Sequence, residues 1–104
     1  MKIIWSDFSS EILVEIYKYY KLKAGSNIAN QIKSNIFNST KQLKKNPFSG
    51  QIEVSLKQLN EGHRYIVEAN YKIVYKPVIE GILITDVFDT RQDPIKINRT
   101  SNIS

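Results

Sequence analysis

Residues 63–94 read HRYIVEANYKIVYKPVIEGILITDVFDTRQDP, and this stretch decides the fold. Branched aliphatic and aromatic residues alternate with polar residues along it, and Ala69-Asn70 and Glu80-Gly81 interrupt the alternation where tight turns fit. The pattern predicts two consecutive β-hairpins followed by a turn that contains Arg91. Basic and aromatic side chains recur along the predicted strands, so the same stretch is also the candidate functional site.

The N-terminal half of the chain has helical periodicity instead. A short apolar strand, Ile3 to Trp5, precedes Ser6-Asp7, whose side-chain oxygens can cap the start of a helix. Gly25 is the predicted end of this helix, and Ser26 is the predicted cap of a second helix that stops at Asn46-Pro47. Because the connection is so short, the two helices should be antiparallel neighbours. The apolar stripe of the first helix comprises Phe8, Ile12, Leu13, Ile16, Tyr17 and Tyr20.

The register of the first hairpin predicts two chemically different sheet faces. After a short strand at Ile52, Val54 and Leu56, a hairpin that turns at Ala69-Asn70 places Glu68 opposite Tyr71. The helices should cover the face that carries Ile66, Tyr71, Ile73 and Tyr75, with Arg64 emerging at the rim of the sheet. The opposite face would then present His63, Tyr65, Lys72 and Lys76 to water.

Together these elements predict an α+β fold in which an antiparallel helical hairpin packs on one face of a twisted, mainly antiparallel sheet. A chain of 104 residues can bury one modest core, so we expect a single domain over residues 1–94. The polar segment 95–104 has no periodic apolar face, and we expect it to be a flexible tail.

The charge of the chain favours an anionic partner. Fifteen Lys and Arg residues against ten Asp and Glu residues give a net charge of +5, and the sequence pI is about 9.5. No acidic residue separates Glu15 from Glu53, and this interval contains seven lysines. Such a run is either a solvated helix face or a docking surface for an acidic partner. The seven are Lys18, Lys21, Lys23, Lys33, Lys41, Lys44 and Lys45.

Several classes of protein are excluded by composition. The absence of cysteine excludes disulfide staples and thiolate chemistry, and it fits a reducing compartment. We find neither the apolar core of a signal peptide nor a membrane-spanning segment, so we expect a soluble, cytoplasmic protein without a membrane partner. We also expect no cofactor and no metal.

A set of short motifs resembles the RelE/ParE superfamily of toxins from bacterial type II toxin–antitoxin systems, and is closest to the ParE branch. The motifs are Ile4-Trp5-Ser6, Leu43 with Asn46-Pro47 and Gly50, Gly62-His63-Arg64, the run from Asn70 to Tyr75, and Val87-Phe88 leading to Arg91. The resemblance implies a β-α-α-β-β-β chain and a cognate antitoxin that wraps the toxin. It leaves open whether the chain forms a homodimer or only a hetero-oligomer with that antitoxin.

The resemblance implies two alternative activities. The ribosome-dependent ribonucleases of the superfamily cut mRNA, and by that analogy His63, Lys72 and Arg91 would be catalytic, with His63 moving the proton. No Tyr or His follows Tyr75, so the late aromatic acid–base residue of those enzymes is missing. The ParE branch instead inhibits DNA gyrase, which requires binding and no acid–base pair.

The candidate residues for binding the target or the antitoxin are Arg64, Tyr65, Lys72, Lys76 and Arg91. Arginine is suited to this role because its planar guanidinium can grip a carboxylate or phosphate in two places. Alternatively, Arg64 and Arg91 pair with Glu68, Asp89 or Asp93 to hold the hairpins, and His63 is a solvated residue near a turn. A non-toxic, basic nucleic-acid-binding module is a further possibility.

Overall fold

The computed structural model describes residues 1–91, which form a five-stranded sheet with two helices packed on one face. The sheet order is β1-β5-β4-β3-β2; β1 runs parallel to β5, and the other neighbours are antiparallel. The predicted α+β class is therefore confirmed. The predicted boundary at residue 94 and the tail 95–104 lie outside the described residues. The elements are β1 (Lys2–Trp5), α1 (Asp7–Ala24), α2 (Ser26–Ser39), β2 (Gln51–Ile52), β3 (Arg64–Glu68), β4 (Tyr71–Val78) and β5 (Gly81–Asp89).

The start of α1 is fixed by two serines. Ser6 caps the helix by accepting a hydrogen bond from the backbone N–H of Ser9 at 3.0 Å. The hydroxyl of Ser9, which is fully buried, donates to the carbonyl oxygen of Ile84 at 2.8 Å and so ties the helix to β5. Gly25 ends α1 as predicted, at a φ of 93°, but it also occupies the capping position of α2. Ser26 is therefore the first residue of α2 rather than its cap.

The second helix ends earlier than the sequence predicts. It stops at Ser39 and continues as a 3₁₀ helix, Thr40–Lys44. The hydroxyls of Ser39 and Thr40 donate to the carbonyl oxygens of Ile36 and Phe37, at 2.6 and 2.7 Å. These hydroxyls compete for the carbonyls that would continue the α-helical ladder, which explains the tighter turn.

The predicted strand from Ile52 to Leu56 is wrong beyond its first residue. Only Gln51–Ile52 pairs with β3, and the chain then forms a 3₁₀ helix, Val54–Leu59. Strand periodicity breaks because Glu53 and Leu56 both turn inward, leaving only 5% and 3% of their surfaces exposed. We call residues 53–61 the acidic segment, since it begins and ends with glutamate.

The core lies between the helices and one face of the sheet. The predicted register of the first hairpin is confirmed, with Glu68 opposite Tyr71 and Ala69 in the left-handed region at the turn. Trp5 packs against this core and stacks on Phe37 of α2. Within residues 1–91, no helix is long and apolar enough to cross a membrane. The buried cluster consists of Leu13, Ile36, Leu43, Ile66, Tyr71, Ile73, Tyr75, Ile82, Ile84 and Val87.

Candidate binding surface

The side of the sheet away from the helices carries two of the predicted basic residues, Lys72 and Lys76. Side chains alternate along a strand, so Lys72 and Lys76 point away from the core that Ile73 and Tyr75 enter. We call this side, with Tyr65 of β3, the strand face. The acidic segment lies against it, because its two glutamates contact the two lysines.

Lys72 is neutralised within the protein. Its Nζ lies 2.5 Å from Oε2 of Glu53 and 4.0 Å from the centre of the Tyr65 ring. The hydroxyl of Ser55 donates to Oε1 of the same glutamate at 2.6 Å. Burial opposes ionisation of Glu53, but the hydrogen bonds from Lys72 and Ser55 outweigh it and hold the pKa of the carboxyl below its usual value.

Lys76 and His63 form a second group at the far end of the acidic segment. The Nζ of Lys76 lies 2.7 Å from Oε1 of Glu61, and this contact lowers the pKa of Glu61. His63 is only 3% exposed, and its Nε2 lies 3.9 Å from the same carboxylate oxygen. Burial lowers the pKa of His63, and the positive charge of Lys76 lowers it further. His63 is thus a buried, neutral imidazole near pH 7 rather than a solvated residue.

The two candidate arginines have different partners. Arg64 donates through Nη1 to the carbonyl oxygen of Gly50 at 2.9 Å, and its guanidinium lies 5.3 Å from the centre of the Phe48 ring. Arg64 therefore holds the loop before β2, and no ion pair with Glu68 is formed among the described residues. Arg91 donates from Nε and Nη2 to the two carboxylate oxygens of Asp89, at 3.0 and 2.7 Å.

The Arg91–Asp89 pair remains accessible. The hydrogen bond from Arg91 lowers the pKa of Asp89, while the arginine side chain stays 60% exposed. Because Asp89 fixes the guanidinium of Arg91, this group is already oriented for binding an acidic group of a partner. The pair lies at the end of β5, where Asp89 is opposite Tyr71 of β4. Arg64 is opposite Tyr75, which lies four residues after Tyr71 on β4. The two arginines therefore lie at different ends of the sheet.

The structure thus gathers Tyr65, Lys72, Lys76 and His63 on one face, as predicted, but it adds acids that sequence reasoning missed. Glu53 and Glu61 give no local signal of this role, because strand alternation says nothing about contacts with lysines 19 and 15 residues away. An anion approaching this face must displace a carboxylate. The paired cations are therefore better suited to exchange of one acidic partner for another than to holding a bare phosphate.

The fold and this site define a small α+β protein in which a helical hairpin covers one face of the sheet and paired lysines and glutamates lie on the other. Residues 3–94 match the family model for the ParE toxin of the type II toxin–antitoxin system parDE. The match spans most of the chain, so the chain belongs to the ParE toxin family.

A solved structure supports the same fold. A chain from the chromosomal ParDE TA system of P. aeruginosa superposes with a TM-score of 0.71 at 20% sequence identity. The alignment covers 86% of this chain and 95% of that chain. No curated protein matches the chain by sequence.

Proposed function

We propose that this chain is a growth-arresting toxin that acts by inhibiting DNA gyrase and is neutralised by a cognate antitoxin in the cytoplasm. Family membership supports the toxin role. The observation that favours binding over RNA cleavage is the burial of His63, which is 3% exposed.

RNA cleavage of the superfamily type requires a group that accepts the proton of the 2′-hydroxyl. His63 is the residue that the resemblance assigns to this step, and its buried ring is out of reach of a phosphodiester. Lys72, the assigned catalytic cation, is occupied by Glu53 at 2.5 Å. A binding mechanism needs neither a free imidazole nor an unpaired lysine at these positions.

The positive charge that is not paired within the protein supports an acidic antitoxin as the partner. None of the lysines between Glu15 and Glu53 forms an ion pair within residues 1–91, so the helical side keeps its positive potential. An antitoxin with an acidic, amphipathic segment would complement this surface. We propose a hetero-oligomer of toxin and antitoxin as the neutral state.

Induction of the chain in a bacterial host, followed by pulse-labelling of DNA and protein synthesis, tests the target. We expect growth arrest, an early loss of DNA synthesis with an SOS response, and inhibition of purified gyrase in a supercoiling assay. Co-expression of the adjacent small reading frame should restore growth. An earlier loss of protein synthesis, with cuts in mRNA at the ribosome, would instead identify a ribonuclease.

Two matched variants test the binding surface. Arg91→Ala removes the exposed guanidinium held by Asp89, and we expect it to require stronger induction for the same arrest. Lys18→Ala removes the same charge from the exposed side of α1 and should leave toxicity close to that of the parent. Equal toxicity of Arg91→Ala, Lys18→Ala and the parent would exclude Arg91 from target binding.

A further inference from the structure

The C-terminal part of α1 packs beside the end of β5, and tyrosines connect it to the sheet there. The hydroxyl of Tyr71, a residue that is only 7% exposed, donates to the hydroxyl of Tyr20 at 3.3 Å. Asp89 is opposite Tyr71 in the sheet and accepts hydrogen bonds from Nε and Nη2 of Arg91. Tyr20, which the sequence places only in the apolar stripe of α1, is therefore linked to the residues that hold Arg91.

Tyr20 and Arg91 both keep hydrogen-bond donors for a further group. Asp89 raises the pKa of Arg91 most and the hydroxyl of Tyr20 raises it next, so this hydroxyl lies beside the guanidinium. A hydroxyl that accepts a hydrogen bond still has its own proton to donate. The guanidinium likewise has more N–H groups than those that Asp89 engages, and the Arg91 side chain is 60% exposed. An incoming anionic oxygen can therefore accept from both side chains at once.

Tyr19 and Lys23 extend this cluster along α1. The rings of Tyr19 and Tyr20 meet edge to face, with centres 5.1 Å apart and planes inclined by 88°. Tyr19 remains 56% exposed, and the Nζ of Lys23 lies 6.0 Å from the centre of its ring. Tyrosine and arginine are among the residues that contribute most binding energy at protein interfaces. We call Tyr19, Tyr20, Lys23 and Arg91 the tyrosine site.

We propose that the tyrosine site binds an acidic segment of the target protein, whose carboxylate accepts from Tyr20 and Arg91 while the segment covers the ring of Tyr19. The identity of the target rests on the proposed function. A nucleic acid gains affinity with each phosphate that a cation neutralises. Asp89 already compensates Arg91, so Lys23 is the one cation of the site without an acidic partner within residues 1–91. The site therefore fits a single carboxylate of a protein better than a polyanion.

An NMR titration of the full chain tests the site without reference to toxicity. The probe is a blocked tripeptide with one glutamate between two glycines, and the signals are the Nε–H of Arg91 and the ring protons of Tyr20. We expect both signals to shift in a saturable way with one common affinity. The same tripeptide with glutamine keeps the shape but lacks the charge, and it should shift neither signal. No saturable shift with the glutamate peptide would overturn the proposal.

Two pairs of variants on α1 locate the binding. Tyr20→Phe keeps the ring but removes the donor, and we expect it to weaken the glutamate peptide by about tenfold. Tyr17→Phe is the matched control, because its ring lies 5.5 Å from the Nζ of Lys33 on α2. Lys23→Gln should weaken binding by about threefold, while Lys21→Gln removes the same charge from the other side of the helix and should not. Equal effects within both pairs would overturn the assignment to this site.

Dimethyl phosphate is the corresponding probe for a nucleic-acid backbone. It carries one negative charge, as the glutamate peptide does, and it offers phosphate oxygens instead of a carboxylate. We expect it to shift the Arg91 signal more weakly than the peptide does. Tighter binding of dimethyl phosphate would exclude a protein carboxylate as the ligand of the tyrosine site.

A supercoiling assay with purified gyrase tests whether the site contacts the target. Tyr20→Phe should need about tenfold more protein than the parent for the same inhibition, while Tyr17→Phe should match the parent. If Tyr20→Phe inhibits gyrase as strongly as the parent, the tyrosine site is not the contact and the proposed function stands. If the parent binds the glutamate peptide but does not inhibit gyrase, the proposed function is refuted and the carboxylate site stands.

Discussion

At the scale of single residues, the hydroxyl of Tyr75 joins the sheet to the loop that follows the helices. Tyr75 is fully buried; its hydroxyl donates to the carbonyl oxygen of Pro47 at 2.9 Å and accepts from the N–H of Gly50 at 3.0 Å. Tyr75→Phe leaves both backbone groups without this partner, and we expect a loss of about 1–3 kcal/mol in the free energy of unfolding. Urea denaturation measures it.

The control for that substitution is Tyr19→Phe. Tyr19 is 56% exposed, and within residues 1–91 its hydroxyl forms no hydrogen bond. The ring and its edge contact with Tyr20 are kept, so the stability should change by less than about 0.5 kcal/mol. Equal losses at Tyr75 and Tyr19 would show that the buried hydroxyl bonds contribute nothing measurable.

His63 should make folding sensitive to mild acid. Burial lowers its pKa below the ordinary value of 6.5, with Lys76 acting in the same direction and Glu61 and Glu53 opposing. The unfolded chain therefore binds a proton first as the pH falls through 6.5, and stability declines until the pH reaches the lower pKa of the folded state.

We expect the unfolding free energy to fall between pH 7.5 and pH 5.5, a range above the titration of ordinary carboxylates. His63→Gln should lower stability at pH 7.5 but flatten the dependence on pH over this interval. His63 is the only histidine of the chain, so no second imidazole confuses the measurement. An unchanged slope in the variant would place the titrating group elsewhere.

At the scale of elements, the acidic segment is held to the sheet by its first residue. The side chain of Glu53 is 6% exposed and that of Lys72 is 21% exposed, so their ion pair is only partly screened. We expect Glu53→Gln and Lys72→Met each to cost about 1–3 kcal/mol, and the double variant to cost less than the sum. A double-mutant cycle in urea with a coupling below about 0.5 kcal/mol would show that Leu56, and not the ion pair, holds the segment.

The attachment of β1 depends on Gly81. A Cβ built at Gly81 would overlap the carbonyl oxygen of Lys2, and the φ of 149° is one that side chains rarely adopt. Gly81→Ala should therefore push β1 from β5 and cost more than the roughly 1–2 kcal/mol of an unfavourable φ alone. Gly25→Ala is the matched control, because its φ of 93° is also strained but nothing lies within 4 Å of the added atom. Equal destabilisation of the two variants would contradict the close approach.

Elements that are determined by neighbouring residues were predictable from the sequence. Elements that depend on contacts between residues far apart in the chain were not. Helix α1 and the turn at Ala69-Asn70 follow from capping and alternation, which neighbouring residues determine. The conformation of the acidic segment was not predicted, because it depends on the ion pair between Glu53 and Lys72. The same contact explains the error at the site, where the basic face was correctly located but its lysines were expected to be open to water.

At the scale of the whole molecule, ion pairs distribute the uncompensated positive charge unequally between the two sides of the protein. The strand face contributes two lysines that Glu53 and Glu61 already compensate. The helical side carries lysines from the interval between Glu15 and Glu53, where the sequence has no acid. The net charge of +5 is therefore expressed mainly on the helical side.

Elution from a heparin column compares the affinity of these two sides for a polyanion. Lys44→Gln with Lys45→Gln and Lys72→Gln with Lys76→Gln each remove two positive charges, so the change in net charge is the same. We expect the first pair to elute from heparin at clearly lower salt, with the slope of log affinity against log salt reduced by about two, because these lysines release counterions on binding. The second pair should elute close to the parent, since an anion gains little at lysines that already hold glutamates. The reverse order of elution would mean that the acidic segment leaves the strand face in solution and exposes the cations beneath it.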